Sequence, residues 1–548
     1  MQLDRLLVNG TIYTLKSEGD TVEAVGIKDG RIVFTGSAAE AREFTADEVI
    51  DLSGQTVIPG MGDSHMHFYA FCQTLTNVDL GPCTSKVEML DRLRAAAEKT
   101  PEGQWIRGSN FDQSKWEDCD KDALPDRHDL DAASSKHPIV IKRVCLHTAV
   151  ANTAALERAG IGHDYQAGPG GVVEREPDGF PNGILREQLT RIFDEIIPDP
   201  MNDPSLKKHV MVQQLRDMAS LGMTMMHTYA ADIWKYFEDV ADYDALNREG
   251  LLPLRVTVYL DKIEKLVGKP APTAAQRADP AFKAKLGGYK LFCDGSLGSR
   301  SAALYEPYDD DPGNTGIVVE DLPALERKML YAMENGIQCA THAIGDRGLD
   351  IVVTAIEHTV ATLRAQGWSD ARLAEKPFRI IHAQMATPEL IDRMAKLPVI
   401  LDIQPAFYLT DMHWIKDRVG EERVKTGFLW RTYQEHNLLM TGGSDAPVEK
   451  YDPMQGIYAA VTRQDLKGWP AGGLLPEQRL SVYDALCLFS KNIPYATGDA
   501  DYMGTIEVGK FADMAVLDRD IFRIPHEDLL HVKVTRTMLA GRDTWIRA

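Results

Sequence analysis

Residues 57–68 read Val-Ile-Pro-Gly-Met-Gly-Asp-Ser-His-Met-His-Phe, an apolar run that ends on His65 and His67. In a β-strand, successive side chains point to opposite faces, so residues two apart point the same way. The two imidazoles are therefore close enough to bind one metal ion. A metal-binding helix would instead use the pattern His-Glu-x-x-His, which this chain lacks. The stretch predicts a strand with a metal-binding pair at its end.

Further apolar runs of strand length follow, and helix-like amphipathic segments such as 322–334 and 349–363 separate most of them. Strands that alternate with helices form a parallel sheet with right-handed crossovers. Eight such strands predict a closed (β/α)8 barrel of the α/β class. The predicted strands are 61–67, 223–227, 254–259, 289–293, 338–342, 379–382, 399–403 and 438–441.

The two ends of the chain contain short β-rich runs with turn residues, such as the hairpin signal Asp29-Gly30. Neither end has enough strands for a stable sheet of its own. We therefore expect residues 1–58 and 503–548 to form one composite β-sandwich, with 59–502 as the barrel domain. The alternative is that the two ends are unrelated edge extensions.

The gap between the first two predicted barrel strands is too long for a single crossover connection. It carries a strand candidate of its own at 139–142 and a helix candidate at 151–159. We interpret residues from about 85 to 200 as a subdomain inserted after barrel strand 1, over the barrel mouth.

Composition and charge exclude several classes of function. The 548 residues suit one large domain plus a smaller one, and 44% hydrophobic with 26% charged residues is ordinary for a globular protein. The net charge of −21 argues against binding to nucleic acid, which needs a basic surface, and against docking on anionic lipid. We expect a small-molecule substrate, no nucleic-acid or membrane partner, and a homodimer as one state of assembly.

The sequence also favours a cytoplasmic location. The first ten residues lack the basic and apolar regions of a signal peptide, and no apolar run approaches the roughly 20 residues of a membrane helix. The seven cysteines form no Cys-x-x-Cys pattern. Isolated cysteines such as Cys145, Cys293 and Cys339 are typical of small buried residues in a reducing compartment.

Further candidate ligands stand at or near the ends of the predicted strands, where barrel enzymes carry their chemistry. Each has an ordinary structural explanation. A lone histidine is usually a hydrogen-bonded core residue, and an aspartate before Ala-Pro can cap a helix. A buried lysine can form an ion pair, because burying its charge without a partner costs free energy. One metal site explains the whole set together. The candidates are His65, His67, Lys290, His342, His382 and Asp445.

These segments resemble the amidohydrolase superfamily, in particular its amidohydrolase-3 branch, over nearly the entire chain. The matching segments are Pro-Gly-Met-Gly-Asp-Ser-His-Met-His at 59–67, Tyr-Lys-Leu-Phe-Cys-Asp-Gly-Ser-Leu-Gly-Ser-Arg at 289–300, Thr-His-Ala-Ile-Gly-Asp at 341–346, Ile-His-Ala-Gln at 381–384, Gly-Ser-Asp-Ala-Pro at 443–447 and Gly-Thr-Ile-Glu-Val-Gly-Lys-Phe-Ala-Asp-Met-Ala-Val-Leu at 504–517.

The resemblance implies a distorted TIM barrel with a β-sandwich built from both termini. It also implies that His65, His67 and Asp445 hold one metal ion and that His342 and His382 hold another. Lys290, carboxylated by carbon dioxide, would bridge the two, because a carbamate is an anion with two oxygen atoms. Branches of the superfamily differ in metal count, so one or two divalent ions remain open. Zinc suits imidazole and carboxylate ligands best, with manganese or iron as alternatives.

Such a site predicts hydrolysis of a carbon–nitrogen bond, most simply a non-peptide amide. A bound metal makes hydroxide available near neutral pH and polarises a carbonyl, and Asp445 can shuttle the proton to the leaving amine. By resemblance, the chain is similar to N-substituted formamide deformylases. The alternatives are deamination, lactone or cyclic-amide hydrolysis, or isomerisation on the same scaffold, and a non-catalytic regulatory protein, which should have lost ligands.

The substrate itself is weakly encoded in the sequence. Aromatic residues that follow strand ends favour an uncharged, partly aromatic amide in a mostly apolar pocket. The sequence does not decide whether His227 and His413 lie near the substrate or have a structural role. The candidate substrate contacts are Asp294, Arg300, Phe407, Trp414 and His147.

Overall fold

The computed structural model describes residues 1–548 except 114–115, 121–122, 144–147, 168–170 and 232–237, and except the side chains of residues 187, 188 and 191. The chain divides into two compact units. One comprises Met1–Tyr69 together with Val212–Ala548, and the other comprises Ala70–Met211.

An eight-stranded parallel sheet forms the centre of the first unit, and each strand pairs with the next along the chain. Beyond its last strand the sheet closes on its first, because the Asp445 amide donates to the His65 carbonyl at 2.7 Å and the His67 amide donates to the Ala446 carbonyl at 2.8 Å. This sheet confirms the predicted α/β class and the distorted (β/α)8 barrel. Its strands are β1 (Met61–Met66), β2 (Met223–Tyr229), β3 (Arg255–Leu260), β4 (Ala284–Phe292), β5 (Gln338–Ala343), β6 (Phe378–His382), β7 (Val399–Ile403) and β8 (Leu439–Gly442).

Helices follow the barrel strands, as the sequence predicted. In Leu322–Glu334 the Asp321 carboxylate caps the first turn by accepting from the Ala324 amide at 2.9 Å. Its buried side chains recur at helical spacing, which fixes the face that packs on the barrel. The helices after β1 in the first unit are Val240–Arg248, Ala274–Arg277, Leu322–Glu334, Asp346–Ala365, Asp370–Ala374, Pro388–Met394, Tyr408–Asp411, Ile415–Arg423, Trp430–Glu435, Pro453–Thr462, Val482–Leu488 and Ile493–Ala496.

Strands from both ends of the chain share one sheet. Thr56–Pro59, near the N-terminus, pairs with Met514–Leu517, near the C-terminus. Apolar side chains of this sheet, such as Val57 and Met514, share a buried core with Leu7 and Val25 of a second, four-stranded sheet. In order, the first sheet contains Arg542–Ile546, Val534–Leu539, Met514–Leu517, Thr56–Pro59, Thr11–Tyr13 and Thr21–Val22, and the second contains Arg31–Gly36, Ala24–Lys28, Gln2–Val8 and Thr45–Asp51, with the helix Ala38–Ala41 between its strands in sequence.

The second unit has a six-stranded mixed sheet of its own. Val78–Asp79 belongs to this sheet although it precedes residue 85, the predicted start of the insertion. The position of this unit over the barrel mouth stays a prediction. Its strands, in order, are Gly171–Arg175, Pro181–Glu187, Thr148–Ala151, Ile139–Arg143, Ile106–Phe111 and Val78–Asp79, and the helices in and beside it are Phe68–Thr74, Lys86–Ala97, Arg127–Ala133, Thr153–Arg158, Ile192–Ile196 and Pro204–Ser220. Across the described residues of both units, no helix has the length and apolar composition needed to cross a membrane.

Candidate metal centre

Three side chains converge where the barrel closes. His65 and His67 lie on β1 and directly after it, and Asp445 follows β8. The Nε2 atoms of both histidines are 3.3 Å from Asp445 Oδ1. All three residues are buried, and one ligand atom from each lies within 4.8 Å of the others. The structure therefore brings together the three residues expected to hold the first metal ion.

Hydrogen bonds and burial prepare these atoms for a cation. His67 Nδ1 lies 2.7 Å from the Tyr229 carbonyl oxygen, which only accepts, so Nδ1 carries the proton and Nε2 keeps its lone pair toward Asp445. The buried His65 Nε2 and Asp445 Oδ1 atoms have no hydrogen-bond partner among the described residues. Buried polar atoms normally have partners, so this pair fits a bound divalent ion.

The protonation states also suit metal binding, which requires neutral imidazole and ionised carboxylate. Burial lowers the pKa of His65 well below its usual range. Burial alone would raise the pKa of Asp445, but the facing nitrogens of His65 and His67 outweigh this effect and hold it well below its usual range.

The second predicted pair of ligands stands beside the first. The ring centroids of His342 and His382 are 4.5 Å apart, and His382 Nε2 is 4.0 Å from Asp445 Oδ2. His382 Nδ1 lies 2.6 Å from Gln404 Oε1, whereas His342 donates from Nε2 to the Gly295 carbonyl at 3.0 Å. These bonds leave the other nitrogen of each ring, Nε2 of His382 and Nδ1 of His342, with a free lone pair.

Lys290 is buried in β4 among aromatic rings. Its Nζ lies 5.1 Å from the ring centroid of Tyr229 and 4.9 Å from that of Phe292. Burial lowers the pKa of Lys290 to about 7, against the opposing effect of the Asp445 and Asp402 charges. A large fraction of this amine is therefore neutral near pH 7, which is the form that reacts with carbon dioxide.

The predicted substrate contacts have different surroundings. Phe407 stacks on His382, with ring centroids 5.6 Å apart and 20° between the planes. Trp414 lies beside Gly298 on the loop after β4. Arg300 forms two hydrogen bonds with Asp310, at 3.0 and 2.9 Å. Among these three residues, Phe407 is thus the one that packs against a predicted metal ligand.

The Asp294 carboxylate is hydrogen-bonded to backbone amides. It accepts from the backbone amides of Ala303, Ile344 and Gly345 at 2.8 to 3.0 Å, and its Oδ1 is 3.4 Å from His342 Nε2. These bonds tie the loop after β4 to the start of the helix Asp346–Ala365. The role of Asp294 as a substrate contact stays a prediction, as it does for the other four residues, and His147 lies outside the described residues.

A family model described as the amidohydrolase family matches residues 48–544. The chain belongs to the amidohydrolase family. YtcJ of Bacillus subtilis (strain 168) is 32% identical over 97% of this chain and 98% of its own length. An N-substituted formamide deformylase of Arthrobacter pascens is 26% identical over 98% of this chain and 97% of its own. A crystal structure of a metal-dependent hydrolase from Pyrococcus horikoshii OT3 is 28% identical, with a TM-score of 0.75 over 95% of this chain and 99% of that one. These findings confirm the resemblance and make the protein a hydrolase.

One residue of this amidohydrolase that sequence reasoning missed is Asp63, buried on β1. Its Oδ1 accepts from the His65 amide at 2.9 Å, and its Oδ2 accepts from the Ser444 hydroxyl at 2.5 Å. Ser444 Oγ in turn accepts from the Ala446 amide at 3.0 Å. Asp63 therefore fixes both sides of Asp445 and one side of His65. A signal was available, because Asp63 lies two residues before His65, on the same face of the strand.

A buried ion pair in the barrel core was also missed. Arg379 and Asp402 are fully buried, with Nη2–Oδ1 at 2.6 Å and Nε–Oδ2 at 2.7 Å. Arg379 also lies 3.0 Å from His227 Nδ1 and donates to the Tyr259 hydroxyl at 2.7 Å, so His227 has a structural partner. His413 pairs with Asp465, with 3.2 Å between Nε2 and Oδ2. The available signal was a charged residue inside each of two apolar strands, Arg379 in β6 and Asp402 in β7.

Proposed function

We propose that the protein is a metal-dependent hydrolase that cleaves a non-peptide carbon–nitrogen bond, an amide, in a small molecule. The observation that carries the proposal is the set of buried ligand atoms on His65, His67 and Asp445 within 4.8 Å of one another. The unpartnered His65 Nε2 and Asp445 Oδ1 atoms support a cation there, and membership of the amidohydrolase family supports the reaction class.

The donor set supports one or two zinc ions, since imidazole and carboxylate are the ligands zinc prefers. His65, His67 and Asp445 would hold the first ion. His342 and His382 would hold the second, with Lys290 as a bridging carbamate. When bound, such an ion lowers the pKa of a coordinated water and polarises a substrate carbonyl.

Asp445 is the proposed proton shuttle. Its carboxylate is ionised and buried, and its two oxygens face different histidines, Oδ1 toward His65 and His67 and Oδ2 toward His382. The carboxylate takes the proton from the attacking water and delivers it to the nitrogen that leaves. A positioned general base of this kind contributes about 10²–10⁴-fold to the rate.

The aromatic ring of Phe407 supports an uncharged, partly aromatic substrate. It stacks on His382 and so presents an apolar surface next to a predicted metal ligand. The similarity to the N-substituted formamide deformylase of Arthrobacter pascens supports N-formyl amines as the first substrates to test.

The test is a kinetic screen of the zinc-loaded protein on N-formyl and N-acyl amines, with lactones, cyclic amides and aminopurines in parallel. We expect turnover of open-chain amides by the wild type and a loss of about 10²–10⁴-fold in kcat for Asp445→Asn. The exposed-histidine variant His358→Asn should act as wild type. Turnover of lactones or aminopurines alone, or an Asp445→Asn variant that keeps both its metal and wild-type kcat, would contradict the proposal.

A further inference from the structure

A cluster of positive side chains lies at the N-terminal ends of the barrel strands, the end opposite the candidate metal centre. Arg255 begins β3 and Lys285 lies next to the start of β4. We propose that this basal cluster binds a small oxyanion of the size and charge of inorganic phosphate. The basal cluster consists of Arg255, Arg277, Lys283, Lys285 and Lys376.

The space for the anion is a cavity of about 60 Å³ lined by Arg277, Lys285 and Lys376, with Gln338 and Thr497 in its wall. A buried water needs roughly 10–15 Å³ of such volume, so the cavity has room for about four waters or for one tetrahedral oxyanion. A second cavity of about 30 Å³ shares Arg277 and Lys285 and extends the positive wall to the other two cations of the cluster.

One buried carboxylate serves two of these cations. Arg277 Nε is 3.1 Å from Asp499 Oδ1, and Lys285 Nζ donates to Asp499 Oδ2. The Thr497 hydroxyl donates to the same Oδ2 at 2.6 Å. Asp499 is therefore already engaged by three donors and has little capacity left for a further cation.

The third cation of the cavity, Lys376, has no carboxylate partner within the described part of the chain. Within the described part of the chain, the Lys376 ammonium has no ion pair or hydrogen bond. Burial and the nearby Arg277 charge lower the pKa of Lys376, against the opposing effect of the Asp499 and Glu375 charges. The neighbouring Glu375 is exposed at the rim. A bound anion would stabilise the charged form of a lysine that is half-buried beside a second cation.

The second cavity adds to the excess of positive charge. Arg255 is neutralised by Asp513, with Nε–Oδ2 at 2.7 Å, but the Lys283 ammonium donates to the Leu252 carbonyl oxygen at 2.9 Å. Ammonium and guanidinium groups converging on a small cavity are the donors that bind oxyanions. The anion would supply the missing charge and connect the starts of β4 and β6.

The experiment is calorimetric titration of the zinc-loaded, full-length protein with inorganic phosphate, at an ionic strength kept constant with chloride. Three variants are compared with the wild type: Lys376→Gln, Lys376→Arg, and Lys396→Gln as the matched control. Lys396 is exposed and lies outside the cavity. None of the three substitutions changes a predicted metal ligand, so phosphate bound at the metal centre should be the same in all four proteins, and only the part that depends on Lys376 is assigned to the basal cluster.

We expect phosphate to bind the wild type and Lys396→Gln equally, and Lys376→Gln at least about tenfold more weakly, since a charge-assisted hydrogen bond is lost. Lys376→Arg should bind more tightly than Lys376→Gln, which shows that charge rather than folding is at issue. A parallel titration with methyl phosphate distinguishes free phosphate from a phosphate group on an organic molecule, and binding of either that depends on Lys376 supports the site. Equal phosphate affinity in all four proteins, or an effect that chloride reproduces, would overturn the proposal.

Discussion

At the residue scale, three hydrogen bonds decide which nitrogen of His67, His342 and His382 is free to bind a cation. The Tyr229 carbonyl holds Nδ1 of His67, and the Gly295 carbonyl holds Nε2 of His342. Gln404 holds Nδ1 of His382. Partners of this kind fix the tautomer and the ring orientation of metal ligands. The geometry of the site therefore depends on residues that never touch the metal.

A substitution at Asp63 tests whether the site depends on residues that do not bind the metal. Asp63→Asn keeps the shape of the side chain but replaces one acceptor oxygen with a donor, which opposes the Ser444 and His65 amides. We expect zinc affinity to fall by about 10–100-fold, the usual range for partners of metal ligands. A competition titration with a chelator measures the affinity. Asp321→Asn is the control, because asparagine caps a helix as well as aspartate. A zinc affinity of Asp63→Asn equal to that of the control would show that Asp63 does not position the metal ligands.

Lys290 gives a second prediction at this scale. Lys290→Ala removes the amine that would carry the carbamate, so activity should fall to a small fraction of wild type. Short carboxylic acids such as acetate should restore part of it, because a free carboxylate supplies the two missing oxygen atoms. Steady-state rates with and without acetate provide the measurement. Wild-type activity of Lys290→Ala without any added acid would show that no bridging carbamate is needed.

At the scale of elements, the apolar runs of the sequence predict the positions of the barrel strands closely. The prediction 399–403 coincides with β7 (Val399–Ile403), but 289–293 misses the first part of β4, which begins at Ala284. Lys285, Gly287 and Gly288 interrupt the apolar pattern there. The barrel wall stabilises this segment through pairing with β3 and β5, which a local pattern does not reveal.

The positions of the predicted metal ligands along the chain explain why the sequence alone could group them. His65, His67, His342, His382 and Asp445 each stand at or just beyond the end of a strand, and parallel strands bring their ends together. Arg379 and Asp402 could not be matched from sequence, because their pairing depends on which strands are neighbours. The partners of Asp63 depend in addition on the closure of the sheet between β8 and β1.

Asp411, in the helix Tyr408–Asp411, should make the stability of the protein depend on pH. Asp411 is buried and accepts from Gln384 at 2.8 Å, and burial raises its pKa from 3.8 to about 8. The folded state therefore holds a proton that the unfolded state releases above about pH 4, so stability falls as pH rises from about 4 to 8. Asp411→Asn removes this loss. The Tm of Asp411→Asn minus the Tm of the wild type, measured by thermal denaturation, should therefore increase from pH 5 to pH 8. A difference in Tm that stays the same over this range would show that Asp411 does not titrate there.

At the scale of the whole molecule, the ends of the chain depend on each other. Met514–Leu517 pairs with Thr56–Pro59, which leads directly into β1 and its histidines. Deletion of 503–548 would expose the buried Val57 and Ile12 side chains, so we expect an insoluble or unfolded product. A control that lacks only 547–548 keeps every strand. A soluble, active protein without 503–548 would contradict the predicted composite domain.

The metal centre is tested most directly by the metal content of the purified protein after it has been reloaded with zinc and freed of excess ion. Elemental analysis should find between one and two equivalents in the wild type and in the exposed-histidine control His358→Asn. The double variant His65→Asn, His67→Asn should fall well below one equivalent, because it removes two of the three clustered ligand atoms. A wild-type value under a tenth of an equivalent, or a double variant that binds as much metal as wild type, would contradict a metal centre at this site.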